Sequence, residues 1–169
     1  MQLPKELGDI PVTFTHFCYL TRDLEHSTAS LRALGVRDLE RVDFGMGVYV
    51  IAELPNGAGM AGEASPGALR IELLSPTSEG NIYSDHLARY GPGLHHIGIL
   101  VPDFDQYLEA FTKAGCEIVF DMQREALVAA ADSVDGASKD AFLENHPTYK
   151  MCYLDCSAVG FPTIEMVSL

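Results

Sequence analysis

The sequence predicts an α+β chain made of two tandem βαβββ copies, and three repeated features carry that prediction. Residues His16 to Asp23 and His96 to Asp103 share one pattern: a histidine, an apolar run, and an aspartate seven residues on. A glycine follows each histidine by nineteen residues, at Gly35 and Gly115, where it would close an apolar-periodic helix. Each copy ends on the same short string, Ile71-Glu72-Leu73-Leu74-Ser75 in the first and Ile164-Glu165-Met166-Val167-Ser168 in the second.

The elements follow in order. Alternation over Val12–Leu20 predicts a strand with Phe14, His16, Cys18 and Leu20 on one face. Asp23 is placed to cap a helix that runs to Leu34 and stops at Gly35, with Leu24, Leu31 and Leu34 as its apolar stripe. Gly47–Leu54, rich in Val, Ile and Tyr, reads as a strand. Pro55–Ala68, mostly Gly, Ala, Pro and Ser, reads as a long mobile loop, and Arg70–Leu74 as the strand after it. Between the copies, Ile82–Tyr90 has the pattern of a short helix ended by Gly91-Pro92-Gly93.

The second copy repeats the plan, with a strand at His95–Val101, a cap at Asp103, a helix at Phe104–Ala114 and a strand at Glu117–Asp121. The pattern loosens from Met122 to Pro147, apart from an Ala-rich helical stretch at Arg124–Ala131. Thr148–Cys156 and Pro162–Ser168 close the chain as strands, and one strand in each copy is weakly marked. The chain is therefore read as one domain over 1–169, with copies at about 12–76 and 94–169 joined by a linker over 77–93. The histidine-to-glutamate distance is 56 residues in the first copy and 69 in the second, the extra 13 falling between Met122 and Pro147. An inserted loop is the plain reading of that excess, and a lid over the site is the functional one.

With 47% apolar residues in 169, a full core is within reach. A net charge of −13 makes nucleic acid or an anionic membrane surface a poor partner, and no apolar run reaches bilayer length. An anionic substrate would be repelled at long range and would need a local basic patch, for which Arg22, Arg32, Arg37, Arg41, Arg70 and Arg89 are available in the first half. Solvated surface positions are the plainer reading of most of these. Cys18, Cys116, Cys152 and Cys156 form no CxxC pair and follow no secretory segment, so reduced buried thiols and a cytoplasmic setting are expected. Cys152 and Cys156 would point the same way along a strand, too far apart to bridge.

A histidine opens each copy and a glutamate closes it. Two such copies facing each other would bring two imidazoles and two carboxylates together, a donor set suited to a divalent metal. His95 and His96 are adjacent and must face opposite ways in a strand. The repeat selects His96, which keeps the spacing to Asp103 that His16 keeps to Asp23. His95 is then expected to point outward, as a hydrogen bonder or a support to the ligands. Glu72 and Glu165 are embedded in apolar strand residues, where a carboxylate costs several kcal/mol, to order of magnitude, unless paired or bound to metal. The competing reading puts both on a solvated face, but the string that holds them occurs twice.

On these motifs the whole chain resembles the vicinal oxygen chelate superfamily, which includes glyoxalase I, methylmalonyl-CoA epimerase, extradiol dioxygenases and bleomycin-resistance proteins. The resemblance is strongest to the epimerase-like, glyoxalase-related branch. It is carried by Ile71-Glu72-Leu73-Leu74-Ser75-Pro76 and, after a short helix, by Gly91-Pro92-Gly93-Leu94-His95-His96-Ile97. It implies an open, curled eight-stranded mixed sheet around one divalent ion (Co, Mn, Ni, Zn or Fe) held by His16, Glu72, His96 and Glu165. The implied activity is that of an isomerase, epimerase or lyase. It would chelate substrate oxygens and stabilise an enolate formed by proton loss beside a carbonyl, with Glu165 or Glu72 as the base. The implied substrate is a small molecule such as an acyl-CoA, a hemithioacetal or another vicinal-oxygen compound, and a homodimer is expected. The alternatives are a ring-cleaving dioxygenase and a metal-free binding or resistance protein on the same scaffold. Four ligands argue against the first, since that chemistry usually takes two histidines and one carboxylate, and retention of all four argues against the second.

The sequence departs from the epimerase pattern in two places. A further acidic residue is expected near Val42–Gly47, where Asp43 is the only carboxylate. The second copy also differs between Met122 and Tyr149, and His146, Tyr149 and Tyr153 are further candidates for site groups there.

Overall fold

A computed structural model describes residues 12–54, 69–122 and 148–168. The described chain is α+β, with eight strands and three α-helices in the order β1 (Thr13–Leu20), α1 (Leu24–Ala33), β2 (Arg37–Asp43), β3 (Gly47–Leu54), β4 (Leu69–Pro76), α2 (Ile82–Tyr90), β5 (Gly93–Leu100), α3 (Phe104–Lys113), β6 (Glu117–Met122), β7 (Lys150–Asp155) and β8 (Thr163–Ser168). It divides into two compact units: His16–His95, and the residues from His96 onward together with those before His16. The expected loop Pro55–Ala68, the helical stretch Arg124–Ala131 and His146 lie outside the described residues.

In the first unit the strand order is β2-β3-β4-β1, with β4 and β1 parallel and the other pairs antiparallel. Asp23 caps α1 by accepting from the His26 backbone N–H at 2.9 Å, as the aspartate at the end of the first motif predicts. Gly35 has φ 84, a left-handed turn past the helix end that a side chain would strain. Leu24 and Leu31 of α1 pack on Val48 and Val50 of β3 and on Ile71 and Leu73 of β4. Leu34, expected in that stripe, is instead 77% exposed, because it is the C-cap residue and has already left the helix face. Strand β2 is the one the pattern marked weakly. It is an edge strand carrying Arg37, Glu40, Arg41 and Asp43, and charge discourages an edge from pairing with another chain. The linker helix α2 forms where expected. Asn81 and Ser84 make a reciprocal capping box at its start.

The second unit has the order β5-β8-β7-β6, again with one parallel pair, β5 with β8. Asp103 caps α3 as Asp23 caps α1, accepting from the Gln106 backbone N–H at 3.0 Å. Gly115 turns the chain at φ 101. Phe104, Tyr107 and Ala110 of α3 cover Ile99, Cys152, Leu154, Ile164 and Met166. Burying each large side chain there contributes about 1.5–3 kcal/mol. All four cysteines are buried and outside any disulfide, and Cys116, Cys152 and Cys156 belong to this same apolar cluster. Among the described residues no helix is long and apolar enough to cross a membrane.

Candidate metal centre

Each unit buries one face of its strands under a helix and keeps its histidine and glutamate on the other. In the first unit Ile71 and Leu73 face α1, so Glu72 between them faces away. Strands β1 and β4 run parallel with Cys18 opposite Glu72, and His16 lies two positions earlier on the same face of β1. The result is His16 Nε2 at 3.5 Å from Glu72 Oε2, with each side chain 12% exposed. In the second unit Ile164 and Met166 face α3, and Glu165 faces away. Strands β5 and β8 run parallel with Gly98 opposite Glu165, and His96 again lies two positions earlier. His96 Nε2 stands 3.7 Å from Glu165 Oε2, and His96 is fully buried. The same stagger and nearly the same distance arise twice because the same two strings are paired in the same register.

The electrostatics of each pair suit a cation. Burial, aided by the positive charge of Arg70, lowers the pKa of His16 to about 4, so its imidazole is neutral near pH 7 with a lone pair to donate. Burial pushes Glu165 up to about 7, against a hydrogen bond from Tyr153 that pulls it down. At 3.5 and 3.7 Å each imidazole nitrogen is too far from its carboxylate oxygen for a good hydrogen bond between the two. Two donors that share one ion at ordinary ligand distances sit roughly 3–3.5 Å apart. Imidazole nitrogens with carboxylate oxygens, spaced within a few tenths of an ångström of that range, fit a divalent metal.

Of the other candidates, Tyr153 joins this arrangement. It stands opposite Glu165 on β7, donates from Oη to Glu165 Oε1 at 2.8 Å and sets its ring edge-on to His96, 4.9 Å between centroids. His95 does not point outward to solvent. It is buried against α2, with ring centroids 5.2 Å from Tyr83 and 4.9 Å from His86, and burial with the nearby His86 lowers its pKa to about 4. Asp43 is exposed and accepts from the Gly45 backbone N–H at 2.9 Å, which closes the turn between β2 and β3 and gives it a local structural role. Tyr149 precedes β7.

One buried carboxylate escaped the sequence reading. Glu53, 4% exposed, shares its strand face with Ile51, which stands opposite Glu72. It accepts from Arg70 Nε at 3.2 Å and lies 3.9 Å from Arg37 Nη2. The alternation of Gly47–Leu54 already placed Glu53 two residues from Ile51, but only pairing with β4 reveals which face is buried. A separate open cleft of about 620 Å³ beside α2, lined by Arg22, Thr77, Ser78, Ser84 and Asp85 among others, contains none of the candidate ligands.

Solved structures with the same fold include the hypothetical protein BH1468 from Bacillus halodurans C-125, at TM-score 0.63 and 14% identity with 94% of each chain covered. A methylmalonyl-CoA epimerase variant from Streptomyces coelicolor, in complex with 2-nitronate-propionyl-CoA, matches at TM-score 0.62 and 18% identity, over 92% of this chain and 95% of that one. The methylmalonyl-CoA epimerase from Mycobacterium tuberculosis matches at TM-score 0.60 and 16% identity, over 92% of this chain and 86% of its own. At these identities the likeness is one of fold. No curated protein matches the chain in sequence. A family model does match, over residues 15–133, and on that match the chain belongs to the glyoxalase/bleomycin resistance protein/dioxygenase superfamily.

Proposed function

We propose that this protein is a divalent-metal-dependent isomerase or lyase that removes a proton from a carbon beside a carbonyl, in the manner of an epimerase or a glyoxalase. The observation that carries the reading is the twin His–Glu pair, formed in both units by the same two-residue stagger on the face opposite α1 and α3. His16, Glu72, His96 and Glu165 would together hold one ion, Co, Mn, Ni, Zn or Fe in the divalent state. When bound, such an ion supplies Lewis-acid stabilisation of negative charge developing on neighbouring substrate oxygens.

The chain supplies the rest. Glu165 or Glu72 takes the α-proton at a carboxylate oxygen, and general base catalysis of this kind contributes roughly 10²–10⁴-fold. Tyr153 orients Glu165 through its 2.8 Å hydrogen bond, so the carboxylate keeps one direction while it acts. The His16 imidazole, neutral because it is buried, leaves a lone pair for ligation. On this reading the enzyme works in the cytoplasm as a homodimer on a small molecule, an acyl-CoA, a hemithioacetal or another vicinal-oxygen compound, with no nucleic-acid or membrane partner.

The test is solvent exchange. In deuterated buffer the metal-loaded protein should wash the α-hydrogen of methylmalonyl-CoA, or of a hemithioacetal formed from a 2-oxoaldehyde and a thiol, out of the substrate. Chelation should abolish the exchange and metal should restore it. Stoichiometric oxygen uptake with a catechol, and no exchange, would replace this reading with the dioxygenase one.

A further inference from the structure

The proposed ligands of the first unit have a cationic neighbour that the reaction outlined above does not use. Strands β1 and β4 pair Phe17 with Ile71, so one step back along the same ladder His16 and Arg70 are neighbours. Arg70 and Glu72 are two apart on β4 and share a face. Arg70 thus sits beside both His16 and Glu72, and its charge is felt at the His16 imidazole.

Arg70 is also held. Its Nε donates to Glu53, a buried carboxylate opposite it on β3, and Arg37 of β2 approaches the other oxygen of that carboxylate. Two guanidinium groups thus serve one buried carboxylate, a local gathering of positive charge in a chain whose net charge is −13. The contact uses only Nε, and among the described residues no acceptor lies on the two terminal nitrogens of Arg70, whose side chain is 52% exposed. A guanidinium fixed through Nε presents those nitrogens as a planar fork that matches a carboxylate. In the second copy the position corresponding to Arg70 is taken by Thr163.

We infer that Arg70, oriented by Glu53, recognises a carboxylate on the substrate close to the oxygens that the His16–Glu72 side of the metal centre would engage. The substrate class is then an acid with a second anionic group beside its chelating pair. This rests on the metal reading above. It also answers how so acidic a protein would draw in an anion: the patch is local and lies next to the ligands.

The test compares two small chelators, lactate and malate. Both offer a hydroxyl and a neighbouring carboxylate to a metal, and malate adds one more carboxylate. Binding to the Co²⁺-loaded protein is measured by calorimetry, together with cobalt content. Glu53→Gln with Arg70→Met is the main variant, because removing the arginine alone would strand a buried carboxylate. The parent should prefer malate by about tenfold or more, a typical effect for a charge-assisted contact. The double variant should lose that preference while lactate affinity and cobalt content hold. Glu53→Gln with Arg70→Lys should restore part of it. A preference for malate unmoved by the double variant would overturn this inference alone. So would equal loss for both chelators, or loss of cobalt, since Arg70 would then serve the fold or the ligands. A parent protein that takes up no divalent ion would overturn this inference and the metal reading together.

Discussion

The two copies make the same His–Glu pair and then surround it differently. Opposite Glu165 on the neighbouring strand stands Tyr153, whose hydroxyl fixes the carboxylate. Opposite Glu72, at the corresponding place, stands Ile51, which offers no hydrogen bond. Two residues before Glu72 comes Arg70 with its buried partner Glu53, and two residues before Glu165 comes Thr163. The repeat thus preserves what a ligand set needs, namely donor type and register, and varies what decides a ligand's freedom and a substrate's charge. One carboxylate is tethered by a neutral donor. The other lies beside a cation.

The largest effects should come from the shared part. His16→Ala and Glu165→Ala should each lower metal affinity by more than the roughly 10–100-fold that loss of a supporting hydrogen bond costs. His95→Ala should leave metal content near that of the parent, because His95 is packed against Tyr83 and His86. Elemental analysis of the folded variants decides it: equal loss in all three would break the symmetry argument that chose His96.

The next effect sharpens the asymmetry. Tyr153→Phe removes only the hydroxyl from Glu165 and should weaken metal binding by about 10–100-fold in a competition titration. Ile51→Val, at the corresponding place, should cost at most about 1 kcal/mol of stability and leave metal affinity alone. If both variants bind metal as the parent does, the difference between the copies has no bearing on the site.

The smallest effect tests whether the copies are alike outside the site. Gly35 and Gly115 both hold positive φ after a helix. A methyl at Gly35 meets nothing within 4 Å, and one at Gly115 meets Val159 Cγ1 at 3.7 Å, an ordinary contact. Either glycine-to-alanine change should therefore cost about 1–2 kcal/mol from backbone strain alone. In thermal denaturation that is a fall of roughly 2–8 °C, similar for the two. A much larger fall for one would show that packing, not backbone, sets its cost.

By itself the sequence determined the element order, both helix caps, the closing glycines and the His and Glu pairs, because these are encoded by local spacing and by repetition. Asp23 and Asp103 cap their helices through bonds to residues three positions on, and such signals survive without tertiary context. Strand β2 was faint because its edge position favours charge over alternation. The surroundings of each pair were decided by tertiary structure alone. Nothing in the spacing of Glu53 says that it is buried, or that Arg70 lies across from it. Tyr153 was one of several candidates until the pairing of β7 with β8 set it opposite Glu165. His95 differs from His96 by one residue and by which side of the strand it occupies, and only the packing of α2 shows what that side holds. Pattern places a residue on a face. What lies across that face belongs to strands far away in sequence, and their register is a property of the folded chain.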